Sequence, residues 1–238
     1  MHRHDLTPRR GFLARAAAAL AAAGASASSL RASSAIEQTG ADGWIKEVQG
    51  THRCLFDFPR HNNGWGLVHV FNYLNTYSAA YKMGSGQAGA VGTFYGMGSG
   101  SSIALGFNDA MWAKYGLGEY HGLKDGSGKP YTRNPFHRPT KADAHLLAGA
   151  IQVPNLPAFG ELMPAAGIES LQKMGTKFLM CNNALGAWEM ELEARGKGTM
   201  AAIDKDLRAN LLPGVTIVPA MVIAIEQAQE AGIAYNRQ

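Results

Sequence analysis

Apolar and polar positions alternate between two periods along this chain. His52-Arg53-Cys54-Leu55-Phe56-Asp57-Phe58 reads as a first strand, apolar and aromatic, stopped by Pro59. A polar linker follows, Arg60-His61-Asn62-Asn63-Gly64. Leu67, Val68, Phe71, Leu74 and Ser78 then recur on one face of a helix. Val91, Phe94 and Tyr95 mark a second strand over 88–95, with Gly96, Gly98 and Gly100 behind it. Ile103, Leu105, Phe107, Met111 and Trp112 predict a helix around 102–114, and 168–174 also reads as helical. The run Phe178-Leu179-Met180-Cys181 is a short apolar strand without a charge. Asn182 and Asn183 are its turn and N-cap residues, and Ala184, Leu185, Trp188 and Leu192 continue at helical spacing. Met200, Ile203, Leu207 and Leu211 give another helical face, ended by Leu212-Pro213-Gly214. A strand is predicted over 215–218 and a last one over 233–236. Between them lies a helix with Pro219 as its first residue and Gly232 as its close.

Strands alternating with helices predict an α/β fold, a doubly wound, mostly parallel sheet with helices on both faces. Residues 36–238 read as a single domain. Within it, 116–157 is a loop-rich insertion, rich in Gly, Pro and charge, with Lys124 to Pro130 its plainest turn and a short helix at 141–150. A connection this long inside a compact domain is usually functional or mobile.

The first 35 residues change the charge balance. Arg9-Arg10-Gly11-Phe12-Leu13 precedes an alanine-rich run, 16–23, and a small-residue cleavage site at Ala25-Ser26-Ala27. This is the layout of a signal peptide, and the paired arginines resemble a twin-arginine export signal, which predicts passage through that machinery to the periplasm. Its apolar run is too short and alanine-rich for a membrane span. Five of the 22 basic residues and one of the 18 acidic residues lie in this segment. Seventeen of each sign remain beyond it, which removes the case for nucleic acid or an anionic membrane as partner.

Chemistry-bearing motifs are few. The two cysteines, Cys54 and Cys181, show no C-x-x-C and no zinc spacing. Gly84-Ser-Gly-Gln-Ala-Gly89 matches G-x-G-x-x-G but precedes a strand, so no dinucleotide cofactor is predicted. The glycines at 96, 98 and 100 follow a strand and could bring backbone N–H groups to an anion, without the Lys of a P-loop. No metal site is predicted; His52 and Cys54, on one side of a strand, come nearest to starting one.

Cys181 is the strongest candidate. It stands where a strand hands over to a helix, beside unpaired N–H groups and the positive end of a helix dipole, a setting that favours the reactive thiolate. A strand order of 2-1-3-4-5 would make the first and third strands neighbours and place a crevice beyond their carboxyl ends. Cys181 and His61 would be the catalytic thiol and proton carrier there. Arg60, Asn62, Asn63, Asn182 and Asn183 would hold the substrate. The same order puts Cys54 and Cys181 at opposite ends of parallel neighbours, too far apart for a disulfide.

The chain resembles the DsrE-like (DsrE/DsrF, YchN-like) sulfur-relay proteins from about residue 50 onward. The carriers are Cys181-Asn182-Asn183-Ala184-Leu185, Leu212-Pro213-Gly214-Val215, Val218-Pro219-Ala220 and Ala228-Gln229-Glu230-Ala231-Gly232-Ile233-Ala234-Tyr235. The resemblance implies a small doubly wound α/β sandwich assembled as a homo-oligomer, a trimer or hexamer. It also implies a Cys that accepts persulfide sulfur, at the position of Cys181, from a small sulfur species or a sulfur-donor protein. The export signal and the 116–157 insertion set this chain apart from the short cytosolic members and from their role in tRNA modification. The competing expectation is a non-catalytic binding or scaffold protein of the same fold, with Cys181 structural.

Overall fold

Strand and helix segments follow the sequence periodicity closely in a computed structural model, which describes residues 42–238. The export signal read over 1–35 lies outside the described residues. The chain begins with α1 (Gly43–Glu47), β1 (His52–Asp57), a 3₁₀ turn at Asn62–Gly64, α2 (Trp65–Ala79) and β2 (Ala88–Phe94). A 3₁₀ turn at Ser102–Gly106 leads to α3 (Asp109–Tyr115) and α4 (Leu117–Tyr120). Another at Lys141–Ala144 opens α5 (His145–Ile151), followed by α6 (Pro157–Ala165) and α7 (Ile168–Lys173). The last third holds β3 (Lys177–Cys181), α8 (Asn182–Ala194), α9 (Met200–Ala209), β4 (Val215–Val218), α10 (Met221–Glu230) and β5 (Ala234–Arg237). No helix among the described residues is long and apolar enough to cross a membrane.

All five strands are parallel, as expected, but their order is β4-β3-β2-β1-β5. The 2-1-3-4-5 order is therefore wrong: β2, not β1, lies beside β3. Burial gives the reason. Six of the seven residues of β2 are buried, so it sits in the interior of the sheet, while β5 is exposed along its length. Small residues suit that interior position. A Cβ on Gly92 would come 2.5 Å from the Phe178 ring and 2.9 Å from that of Phe58, so both rings pack directly against the strand at a position without a side chain.

The chain steps in one direction from β1 to β4 and then returns across the sheet to β5. Right-handed crossovers place connections that run in opposite directions on opposite faces. Gly66 of α2 rests on the Phe58 ring on one face, where Phe94 and Phe178 stack with centroids 5.0 Å apart. On the other, α10 starts against Cys181, whose Sγ accepts the Met221 N–H at 3.3 Å. The sheet is doubly wound.

Several boundaries move. The helix expected around 102–114 is broken at Phe107, which is extended and bridges Leu211, while the Asn108 side chain caps α3 by accepting from Met111 N–H. Cys181 itself is the N-cap of α8, so Asn182 and Asn183 are its first helical residues rather than turn and cap. Ala220, extended, is the N-cap of α10, and Pro219 precedes the helix instead of opening it.

The insertion is more ordered than its composition suggests. Leu117, Leu123, Tyr131, Phe136, Leu146 and Leu147 are buried in the common core. Asp143 is the polar centre: it accepts from both Arg133 Nη2 contacts at 2.7 Å, from Tyr131 Oη at 2.6 Å and from Thr140 N at 2.7 Å. Burial alone would raise its carboxyl; these donors outweigh burial and hold it below the usual carboxylate range. The helix expected at 141–150 is present as the 3₁₀ turn and α5. By contrast α6, opened by Pro157 at its first position, was hidden behind the loop-like composition.

Candidate functional site

The loop after β1 is held in a backbone shape that few residues adopt. Asn62, Asn63 and Gly64 have φ values of 38°, 50° and 95°, three consecutive left-handed residues. Asn tolerates that region better than other side chains, and glycine adopts it freely. At Gly64 a Cβ would meet the Phe136 ring at 3.1 Å, so that position also lacks room. Two strand ends are tied together here: Arg60 bridges Ser101, and His61 N–H donates to Gly100 O at 2.9 Å. The loop after β1 and the glycine turn after β2 thus form one unit at the carboxyl ends of adjacent inner strands, where α/β sheets place ligands.

A cavity of about 770 Å³ opens over this unit, in the range of small-molecule sites. Arg60, His61, Asn62 and Asn63, all four expected from sequence, line it. Trp65 and His69 of α2 add an aromatic side, Ser99 and Gly100 the turn, and His121 the end nearest α8. Ala150 and Ile151 of α5 close the remaining wall, so the insertion completes the cavity. Asn63 Nδ2 donates to Leu146 O at 3.2 Å and Trp65 Nε1 to Leu147 O at 3.0 Å, which fixes α5 to the loop.

Two histidines meet at the cavity. The rings of His61 and His121 are edge-to-face with centroids 5.4 Å apart, and His121 stacks on Trp188 of α8 at 5.7 Å. Each Nδ1 accepts a backbone N–H, from Asn63 at 3.1 Å and from Gly100 at 3.0 Å respectively. A neutral imidazole with Nδ1 as acceptor carries its proton on Nε2. Burial, aided by the Arg60 guanidinium, pushes His61 down to about 4. Burial, aided by His61, pushes His121 down to about 3, so both rings are neutral at pH 7. Their Nε2 atoms are buried without a hydrogen-bond partner among the described residues. Buried polar groups in folded proteins are nearly always paired, and each exception needs a cause, such as strain, a catalytic role, or a bound water or ion.

The other expected residues lie elsewhere. β2 separates β3 from β1, so Cys181, Asn182 and Asn183 do not line the cavity. The single crevice with thiol, imidazole and guanidinium together is not formed. Cys181 is buried at 6% exposure, at the β3–β4 pair whose outgoing chains diverge to α8 and α10. Its sulfur accepts the first N–H of α10, so the switch point of this sheet does hold the thiol, with different neighbours. Asn182 Oδ1 accepts from Arg208 Nη2 at 2.9 Å, and Arg208 pairs with Asp204 across one helical turn. Asn183 is exposed beside it. Glu189 of α8 is buried near that group, and burial together with the Asp204 carboxylate raises its carboxyl above the usual range.

Cys54 and Cys181 are both free, two strand spacings of ~4.8 Å apart and about five residues apart along the strand axis at ~3.3 Å each. His52 stacks on Tyr77 at 4.7 Å, and burial pushes Cys54 up to about 11; no cluster of three metal-ligating side chains forms among the described residues. The glycine turn brings its Gly100 N–H to His121 rather than to an anion. His121 is the residue that sequence reasoning missed, since nothing near it in sequence marks a site and its partner lies 60 positions earlier.

No protein-family model, curated protein or solved structure matches this chain.

Proposed function

We propose that this chain is a binding protein for a small molecule held in the cavity over β1 and β2. The observation that carries the reading is the pair of buried, unpartnered Nε2 atoms on two neutral histidines lining a volume of about 770 Å³. Filling the cavity tests it. In ligand-observed NMR against a library of small aromatic and aliphatic acids, amides and alcohols, wild type should retain a subset that Ala150→Trp loses. Ala150 is exposed, so the substitution leaves the core intact. A subset retained equally by both proteins would overturn the reading.

A second reading keeps sulfane-sulfur chemistry at Cys181, as the DsrE-like resemblance implies. What supports it is the Met221 N–H on the sulfur and the position of the thiol between the starts of α8 and α10. The Cys181 thiolate would attack a polysulfide, forming Cys–S–S⁻ and releasing the chain shortened by one sulfur. Intact mass after polysulfide treatment should then rise by one sulfur atom in wild type and not in Cys181→Ser; equal labelling of both would sink this chemistry. Twin-arginine export to the periplasm belongs to the same proposal and rests on Arg9-Arg10-Gly11-Phe12-Leu13. A homo-oligomer does too, supported by the exposed Val222 and Ile223 on α10.

A further inference from the structure

The donor set of the cavity narrows the chemistry of what it holds. We infer that the ligand is a carboxylate carrying a flat apolar body, its oxygens accepting from the Nε2–H groups of His61 and His121 and from the Arg60 guanidinium. This rests on the cavity being the binding site. Three observations carry it. The first is the tautomer: with both Nδ1 atoms occupied by backbone N–H donors, both Nε2 atoms are donors and neither offers a lone pair to a metal ion. Both residues are nine-tenths buried or more and line the cavity, with ring centroids 5.4 Å apart.

The second is charge. Among the described residues no Asp, Glu or Lys lines the cavity, so none offers a cation a charged partner there. Arg60 is the one permanently charged side chain of the lining among the described residues, which matches a monoanion better than a phosphate dianion. Its guanidinium lies over Gly100, where a Cβ would come 2.5 Å from Nη2. Among the described residues its one hydrogen bond, to Ser99 O at 3.5 Å, leaves the rest of the planar fork for a carboxylate. The third is shape. The indole of Trp65, with Ala150 and Ile151, supplies an apolar wall beside the donors. That division between a polar end and an apolar wall orients an amphiphilic small molecule.

Four probes of one size separate the possibilities: benzoate, benzamide, benzyl alcohol and benzylamine. Titrated into ¹⁵N-histidine-labelled protein, benzoate should shift the Nε2–H signals of His61 and His121 while both rings keep their tautomer. It should bind at least tenfold more tightly than benzamide or benzyl alcohol, and benzylamine should not bind. Arg60→Gln, a change at an exposed position, should weaken benzoate at least tenfold and leave benzamide within twofold. Neutral probes binding as tightly as benzoate would overturn the carboxylate assignment and leave the cavity reading standing. Failure of all four would overturn it as well; the library screen against Ala150→Trp then decides the cavity reading separately. Zinc ions that bind with loss of the Nε2–H signals would also overturn it, in favour of a metal.

Discussion

Between pH 6.5 and 4 the two cavity histidines are expected to draw stability from the folded chain, because unfolding takes up protons that the native rings exclude, a loss that the raised Glu189 carboxyl offsets in part. The sign follows from the two cavity histidines. Their folded values, about 4 and about 3, lie below the ordinary 6.5, so in this window the unfolded chain binds more protons than the folded one and falling pH favours unfolding. Above 6.5 both states carry neutral rings and the effect vanishes. Each unit of difference corresponds to about 1.4 kcal/mol, so the pair removes several kcal/mol by pH 4, a large share of the ~5–15 kcal/mol of a typical domain. Urea unfolding at half-unit pH steps measures it. His121→Gln should flatten the slope by roughly one proton, about 1.4 kcal/mol per pH unit, even where the variant is less stable at pH 7. Slopes that coincide would mean that the rings titrate normally. Asp143 acts lower: its depressed carboxyl adds stability that is present above the ordinary carboxylate range and is lost only as pH falls through its folded value.

Removing Asp143 is the second large effect. Asp143→Ala strands the Tyr131 hydroxyl, the Thr140 N–H and the Arg133 guanidinium at once. Breaking a buried pair from one side costs about 3–5 kcal/mol; Arg133 is 37% exposed and can rehydrate, which places the expected loss near the lower end, about 3 kcal/mol. Asp143→Asn keeps the shape and should lose about half as much. The damage has a location. Amide hydrogen exchange should quicken over 123–147 and spare β1 to β3. Because Ala150 and Ile151 line the cavity, affinity for benzoate should fall in step. Uniform loosening of the whole chain would show that the insertion has no separate stability.

The α/β class and the places of all five strands were legible because alternation and short apolar runs are local signals. Strand order was not. Ala88 to Phe94, the most buried strand, is made of small residues whose weak strand signature hides its central place; only the rings of Phe58 and Phe178 lying on Gly92 explain it. That one misplacement divided the candidate site. Arg60, His61, Asn62 and Asn63 could be named from the turn after the first strand, and Cys181 from the end of the third, but not their separation. His121 and the α5 wall come from an insertion whose glycines and prolines read as loop. Its order depends on contacts such as Phe136 against Gly64, which link residues 72 positions apart.

The reversal of the chain after β4 also sets an order of assembly. Neighbouring strands from β1 to β4 can register as the chain grows, Cys54 level with Ala90 after only 36 residues. The last pairing sets Cys54 level with Ala234, a fivefold longer closure that costs ~1.4 kcal/mol more in loop entropy. Until β5 arrives, β1 is an open edge able to accept a foreign strand. A folding intermediate with four strands would be the aggregation-prone species. In vitro, a peptide of residues 234–238 has one natural landing place on it.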